Sequence, residues 1–226
     1  MNCRLCGSPD CLLIFSDSVR EYYHCAVCDL IFVPASQCVS IEEERSRYDL
    51  HDNNGDHAGY RSFLREVAAV VEQVTIRGGR ILDFGCGKNA VLASMLREQG
   101  YSCTAYDPLY GIGMEFNLFT YDTIVLCEVI EHVRNLKEEL RIISELLNPS
   151  GTLVIRTGIH PRPESFGSWW YKNDRTHVNF IGMPTIAWIA RTFGYARVDS
   201  GNKGIVCLTR SGGGREGEFT SGSESS

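Results

Sequence analysis

Arg80-Ile81-Leu82-Asp83-Phe84-Gly85-Cys86-Gly87-Lys88-Asn89, followed by the apolar run from Ala90 to Leu96, reads as a buried strand, a glycine turn and the opening of a helix. Glycine at 85 and 87 removes the Cβ and lets the backbone approach a ligand closely. The helix that begins just beyond offers unpaired N–H groups and the positive end of its dipole. Such a turn suits a nucleotide-like guest. About 20 residues on, Ser102-Cys103-Thr104-Ala105-Tyr106 reads as a second strand that ends at Asp107. A carboxylate there is placed to bind both hydroxyls of a ribose.

A glycine pair between strand and helix is often only a turn. Asp107 at this distance adds weight to a ligand loop, and Asp83 ahead of the glycines points away from a dinucleotide. The order D-x-G-x-G, helix, strand ending in Asp resembles the class I S-adenosylmethionine-dependent methyltransferases. That resemblance implies that Asp83, Gly85, Cys86 and Gly87 hold the methionine part of the cofactor. It places Asp107 and the adjoining Pro108 at the ribose. Asn89 stands where that family usually carries a third glycine.

The chain has 226 residues, enough for one sizeable core and a small appendage. Its net charge of −6 argues against a broad nucleic-acid-binding face, which would be basic. No apolar run approaches the ~20 residues of a membrane helix, and Leu12 to Phe15 is too short for the core of a signal peptide. The expected compartment is the cytoplasm.

The ten cysteines are grouped rather than scattered. Cys3-Arg-Leu-Cys6 and Cys25-Ala-Val-Cys28 are two C-x-x-C knuckles at the spacing of a four-cysteine zinc ribbon. Four thiolates can enclose a tetrahedral ion, and a region this small needs such a staple. A structural Zn²⁺ at Cys3, Cys6, Cys25 and Cys28 is therefore expected within residues 1–38. The acidic balance of that segment does not favour RNA as its partner. Cys11 and Cys38 read as buried thiols outside the ligand set.

Residues 39–59 form a polar linker, in which Glu42-Glu43-Glu44 opens a helix and His51 is a weak candidate for the site. Phe63, Leu64, Val67, Val71 and Val74 fall on one face of a helix from Tyr60 to Thr75. After Asp107 only Pro108 to Tyr121 precedes the next strand, Asp122 to Cys127, so a helix and strand common in the resembling family are missing. With them goes the usual adenine-binding acid. A helix on Leu136, Leu140, Ile143 and Leu147 stops at Asn148-Pro149-Ser150-Gly151, and a strand runs from Thr152 to Thr157. Residues 158–184 make a long connection rich in aromatics, of the kind used as lids. A helix around Ile186 to Phe193 and strands at 196–199 and 205–209 follow. From residue 211 the Gly/Ser/Glu composition predicts a disordered tail. The fold class is α/β: a Rossmann-like, mostly parallel sheet with helices on both faces over residues 60–210. It is shortened after the second strand and carries a small N-terminal zinc ribbon, and the resemblance implies an antiparallel last strand.

Cys127-Glu128-Val129-Ile130-Glu131-His132-Val133 lies just past the carboxyl end of a core strand, where open α/β sheets bind ligands. If that segment is helical, Glu128, Glu131 and His132 share a face. His177, in Asp174-Arg175-Thr176-His177-Val178-Asn179-Phe180, would then complete a two-Glu, two-His site for a second divalent metal. Equally, Glu131 and His132 could cap the helix that follows, with Glu128 reaching the cofactor. The E-x-x-E-H segment resembles ubiquinone-pathway O-methyltransferases and small-RNA 3′-terminal 2′-O-methyltransferases. The latter resemblance implies metal ligation by Glu128, Glu131 and His132, with His177 joining them from the later segment. An unactivated hydroxyl is a poor nucleophile at neutral pH, so Glu131, His132 and His177 are the candidate catalytic groups, with His132 or His177 taking the proton. Mixed O/N ligands suit Mg²⁺, Mn²⁺, Zn²⁺ or Fe²⁺ without choosing among them.

Trp169, Trp170 and Tyr171 are open between stacking on a planar substrate and packing beneath a lid. The expected activity is S-adenosylmethionine-dependent methylation of a small molecule at oxygen. The alternatives are methylation of a terminal ribose in RNA or a nucleotide, and a non-catalytic zinc-ribbon protein that keeps the cofactor fold. The oligomeric state is left open.

Overall fold

A computed structural model describes residues 1–50, 58–200 and 204–211. His51 and the tail from residue 212 lie outside the described residues. The chain opens with β1 (Cys11–Ser16), β2 (Glu21–Cys25) and β3 (Ile31–Phe32), then α1 (Ile41–Leu50) and α2 (Ala58–Val74). The central unit follows as β4 (Arg80–Phe84), α3 (Val91–Glu98), β5 (Ser102–Tyr106), β6 (Tyr121–Cys127), α4 (Leu136–Leu146) and β7 (Leu147–Arg156). It closes with β8 (Asn179–Phe180), α5 (Met183–Phe193), β9 (Tyr195–Ser200) and β10 (Ile205–Arg210).

The large sheet has the order β5-β4-β6-β7-β10-β9. Strands β5, β4, β6 and β7 pair in parallel, and β10 is antiparallel to both β7 and β9. Alternate residues serve opposite faces, as the two-residue repeat of a strand requires. Leu82, Phe84, Ile124, Leu126, Leu153 and Ile155 join one core with α4 and α5, while Ile81, Val125 and Val154 join another with α2 and α3. Burial on both sides explains the continuous apolar runs of the central strands.

The expected shortening is present. Between β5 and β6 the chain makes only a bridge from Asp107 to Ile112 and a 3-10 turn at Phe116–Leu118. Gly113 is what lets this detour lie flat on β5, since a Cβ there would sit 2.0 Å from the Ala105 carbonyl oxygen. Helix α1 begins with a capping box: Glu43 N–H donates to Ser40 Oγ, and Ser40 N–H donates to the Glu43 carboxylate. The strand expected from Thr152 instead starts at Leu147. Leu147 pairs with Tyr121, and Asn148 donates to Asp122 at 2.9 Å, so the Asn-Pro-Ser-Gly bend is absorbed into the ladder as an irregularity.

The amino-terminal hairpin is not free-standing. Its sheet runs β1-β2-β3-β8, and β8 comes from the long connection after β7. Tyr22, Ile31 and Val33 pack with Phe166, Tyr171 and Phe180 in a small core of their own. Leu5, Leu30 and Phe32 merge with the main core. The connection expected as a lid is therefore pinned under the hairpin, and of its aromatic cluster only Trp170 is largely exposed, at 72%.

Candidate functional site

The glycine turn is tied to the end of β5 through its backbone. Gly85 and Cys86 N–H both donate to the Tyr106 carbonyl, at 2.7 and 3.0 Å. Gly85 has φ +78°, and a Cβ there would lie 2.5 Å from Val129 Cγ2. Gly87 has φ +67° with open space where its Cβ would be. The first glycine serves packing and the second keeps the cavity clear. Asp107, 7% exposed, accepts from Gly87 N–H at 2.9 Å and from Leu109 N–H at 2.9 Å. Its carboxylate thus faces the turn, and burial raises its pKa.

Asp83 sits differently from the reading of the sequence. It is 2% exposed and lies beneath the turn, where its carboxylate accepts from Ala93 N–H at 3.1 Å at the start of α3. Burial pushes its pKa up to about 7, and the Asp107 charge adds to this. Asp83 anchors the helix beneath the glycine turn, because the two-residue alternation of β4 turns it away from the cavity.

A cavity of about 1080 Å³ opens over the carboxyl ends of β4, β5 and β6. Gly87, Asp107 and Pro108 line one part of it, and Glu128, His132 and His177 line another. Its size lies at the upper end for small-molecule sites. Helix α1 covers it without burying a side chain completely. It is held by ion pairs at the rim: Glu44 with Arg134, Arg47 with Asp174, and Asp49 with Lys88. Tyr48 of α1 meets the His132 ring edge-on at 5.3 Å between centroids.

The segment after β6 is a turn, with α4 starting only at Leu136. Glu128 adopts φ +53°, a strained conformation for this residue. The expected shared helical face is therefore absent, yet the turn achieves a similar convergence. Ligating atoms of Glu131, His132 and His177 lie within 4.8 Å of one another. Glu128 stands outside that trio. Its carboxylate accepts from Arg156 Nη1 at 3.0 Å, and its other oxygen lies 2.9 Å from the Tyr171 hydroxyl oxygen. Burial and the neighbouring Glu131 push its pKa up to about 7.

Glu131 is completely buried and accepts from the hydroxyls of Tyr171 and Thr157. Burial raises its pKa. The two imidazoles are oriented by carbonyls: His132 Nδ1 lies 3.1 Å from Thr176 O, and His177 Nδ1 lies 2.8 Å from Tyr171 O. A carbonyl can only accept, so each Nδ1 carries the proton and each Nε2 keeps its lone pair. Burial lowers both pKa values, that of His177 to about 3 with help from His132. Two neutral imidazoles and a buried carboxylate suit a divalent ion.

Asn179 has a part that the sequence did not disclose. Its amide donates to the carbonyls of Ile130 and Val133, and its N–H donates to Glu131 O. The turn bearing Glu131 and His132 is thus stapled to β8. Tyr171 takes the packing side of its two alternatives: it is 5% exposed, with its hydroxyl lodged between the two glutamates. Trp169 and Trp170 line a second cavity of about 540 Å³, which also includes Phe63, Glu128 and Arg156. Glu128 and Phe63 border both cavities.

At the other end of the hairpin the four expected cysteines come together, with sulfurs of Cys3, Cys6, Cys25 and Cys28 within 4.8 Å of one another. Cys3 and Cys28 are 3.5 Å apart and Cys6 and Cys25 3.4 Å apart, too far for disulfides. Four sulfurs at ~2.3 Å from a tetrahedral ion would be separated by about 3.8 Å. The two knuckles repeat one backbone pattern. Gly7 and Asp29, each with positive φ, donate to the carbonyls of Cys3 and Cys25. Cys11 and Cys38 are half-buried and lie outside the set.

The family described as a methyltransferase domain matches residues 56–200. A ubiquinone biosynthesis O-methyltransferase of Rickettsia canadensis is 28% identical over 115 residues, covering 39% of this chain and 48% of that protein. The chain spans about half or less of the length of the curated relatives it matches. Among solved structures, the 1,6-didemethyltoxoflavin-N1-methyltransferase of Burkholderia thailandensis aligns with a TM-score of 0.52 at 16% identity. That alignment covers 87% of this chain and 98% of the other, whose structure holds 1,6-didemethyltoxoflavin and S-adenosylhomocysteine. An O-methyltransferase family protein from the same organism aligns at 0.51 and 18% identity, covering 76% and 64%. At these identities the two structures speak for the fold.

Proposed function

Since this chain belongs to the methyltransferase-domain family, we propose that it is an S-adenosylmethionine-dependent methyltransferase acting at oxygen on a small hydroxyl-bearing molecule, with a divalent ion at Glu131, His132 and His177. The observation that carries this reading is the single cavity shared by the turn at Gly87, the carboxylate of Asp107 and the two imidazoles. The O-methyltransferase relative supports oxygen as the acceptor atom.

Bound S-adenosylmethionine supplies an electrophilic methyl group on a sulfonium sulfur. In this reading Gly87 admits the cofactor, and the lone pairs of Asp107 not used by backbone N–H groups take the ribose hydroxyls. A divalent ion supplies a Lewis acid where a hydroxyl must become more acidic. Glu131, His132 and His177 would hold it, and Tyr171 and Thr157 fix the Glu131 carboxylate by hydrogen bonds. Glu128, with a pKa of about 7 beside both cavities, is matched to receive the acceptor's proton at an oxygen of its carboxylate. The second cavity, with exposed Trp170, is the route by which a planar acceptor would enter. Cys3, Cys6, Cys25 and Cys28 would hold a structural Zn²⁺.

Calorimetry with S-adenosylmethionine, followed by a methyl-transfer screen of catechols, phenols and short RNA ending in a 2′,3′-diol, tests this reading. Micromolar cofactor binding and Mn²⁺-stimulated transfer to a phenolic oxygen are expected. Transfer only to RNA would favour the terminal-ribose alternative, and no cofactor binding would remove both.

A further inference from the structure

Arg20, between β1 and β2, is 3% exposed, and its guanidinium points into the backbone of residues 172–177. Nη1 donates to the carbonyls of Arg175 and His177 at 3.1 and 3.0 Å. Nη2 donates to those of Lys172 and Asp174, the latter at 3.2 Å. A rigid planar fork can satisfy several carbonyls at once, which an ammonium on a flexible stem does less well. Two of the three carbonyls left over in residues 171–177 orient the site: Tyr171 O meets His177 Nδ1, and Thr176 O meets His132 Nδ1. Carbonyls of this one loop are therefore divided between Arg20 and the two imidazoles.

We infer that Arg20 is a positioning residue for His132 and His177, and that the amino-terminal cysteine hairpin is a working part of the site rather than a separate appendage. Releasing the fan of four carbonyls frees residues 171–177 to rotate their peptide planes, and the two orienting carbonyls rotate with them. The β3–β8 pairing begins just after His177 and fixes the far end of the same loop. The part concerning metal affinity rests on the proposed ion site; the part concerning imidazole orientation does not.

The test compares the wild-type protein with Arg20→Ala and Arg20→Lys, using ¹⁵N-histidine NMR for the tautomers, Mn²⁺ titration, and calorimetry with S-adenosylmethionine. Both variants are expected to show mixed tautomers at His132 and His177. Mn²⁺ affinity should fall about 10- to 100-fold in Arg20→Ala, and less in Arg20→Lys. Cofactor affinity should stay within about twofold, because Gly87 and Asp107 are on other elements. Leu64→Ala, buried in the opposite core, serves as a destabilised control and should leave the tautomers unchanged. Unaltered tautomers and Mn²⁺ affinity in folded Arg20→Ala would overturn the inference. If that variant does not fold, the same result in Arg20→Lys overturns it. A wild-type protein that binds no Mn²⁺ refutes the ion site, while the tautomers still decide the role of Arg20.

Discussion

Asn179 and Glu131 are joined at the backbone, the Asn179 N–H donating to the Glu131 carbonyl at 3.0 Å, although they belong to different elements. The Asn179 amide adds bonds to Ile130 O at 3.0 Å and Val133 O at 2.7 Å. Asn179→Asp keeps the shape and removes the donor. It should cost about 2–4 kcal/mol, because carbonyls of the turn lose their partner beside a new carboxylate. Urea denaturation would measure this, and a change below about 0.5 kcal/mol would show that the staple is idle.

The two glycines of the turn should respond differently to alanine. At Gly85 the new Cβ meets Val129 at 2.5 Å in a left-handed conformation, so Gly85→Ala should destabilise the fold by about 2–3 kcal/mol. At Gly87 the space is open. Gly87→Ala should cost only about 1 kcal/mol of stability while weakening cofactor binding more than Gly85→Ala does per unit of stability lost. Thermal unfolding and calorimetry on the same pair would show the reversal.

Asp107 holds the turn by accepting from Gly87, Leu109 and Tyr110. Asp107→Ala should weaken S-adenosylmethionine binding about 10- to 100-fold, the range of a lost charge-assisted bond. Asp107→Asn, which keeps one acceptor oxygen, should lie between. Equal affinity in all three proteins would mean that the ribose is bound elsewhere.

Asp83 makes a signed pH prediction. Its folded pKa is about 7, raised above an ordinary value of 3.8 by burial. The folded state therefore binds more protons between those values, and stability falls as pH rises through that window. Relative to Asp83→Asn, the wild-type protein should gain stability from pH 8 to pH 5. Parallel slopes for the two proteins in denaturant titrations would contradict the buried acid.

Metal analysis of the purified protein should find zinc held by the four cysteines. Cys25→Ser or strong chelation should release it and lower the melting temperature. Because β3 pairs with β8, hydrogen exchange should then rise at residues 178–180 as well as in the hairpin. Exchange confined to residues 1–38 would mean that the two parts are energetically separate.

Much of this was legible in the residues themselves. The apolar runs at 80–84 and 122–127, the glycines at 85 and 87 and the acid at 107 are local signals. Strand, turn and capping preferences act over a few residues, so the parallel sheet, the shortened second crossover and the cysteine knuckles could be read in order along the chain. The direction of Asp83 was less accessible. It depends on which face of β4 packs against α3, a register fixed only when both cores close.

The succession of elements, the glycine turn and the four-sulfur cluster are local properties, because each is written in neighbouring residues at fixed spacing. Only the packing of the whole chain set Glu128 outside the trio of Glu131, His132 and His177 while leaving it beside Glu131 across the Tyr171 hydroxyl. It alone placed Tyr171 beneath them, with Arg20 and Asn179 holding them from the amino-terminal sheet. These contacts link residues as far as 157 positions apart. No short-range preference encodes such a pairing; it arises when two cores bury a shared boundary and the polar groups trapped there must find partners.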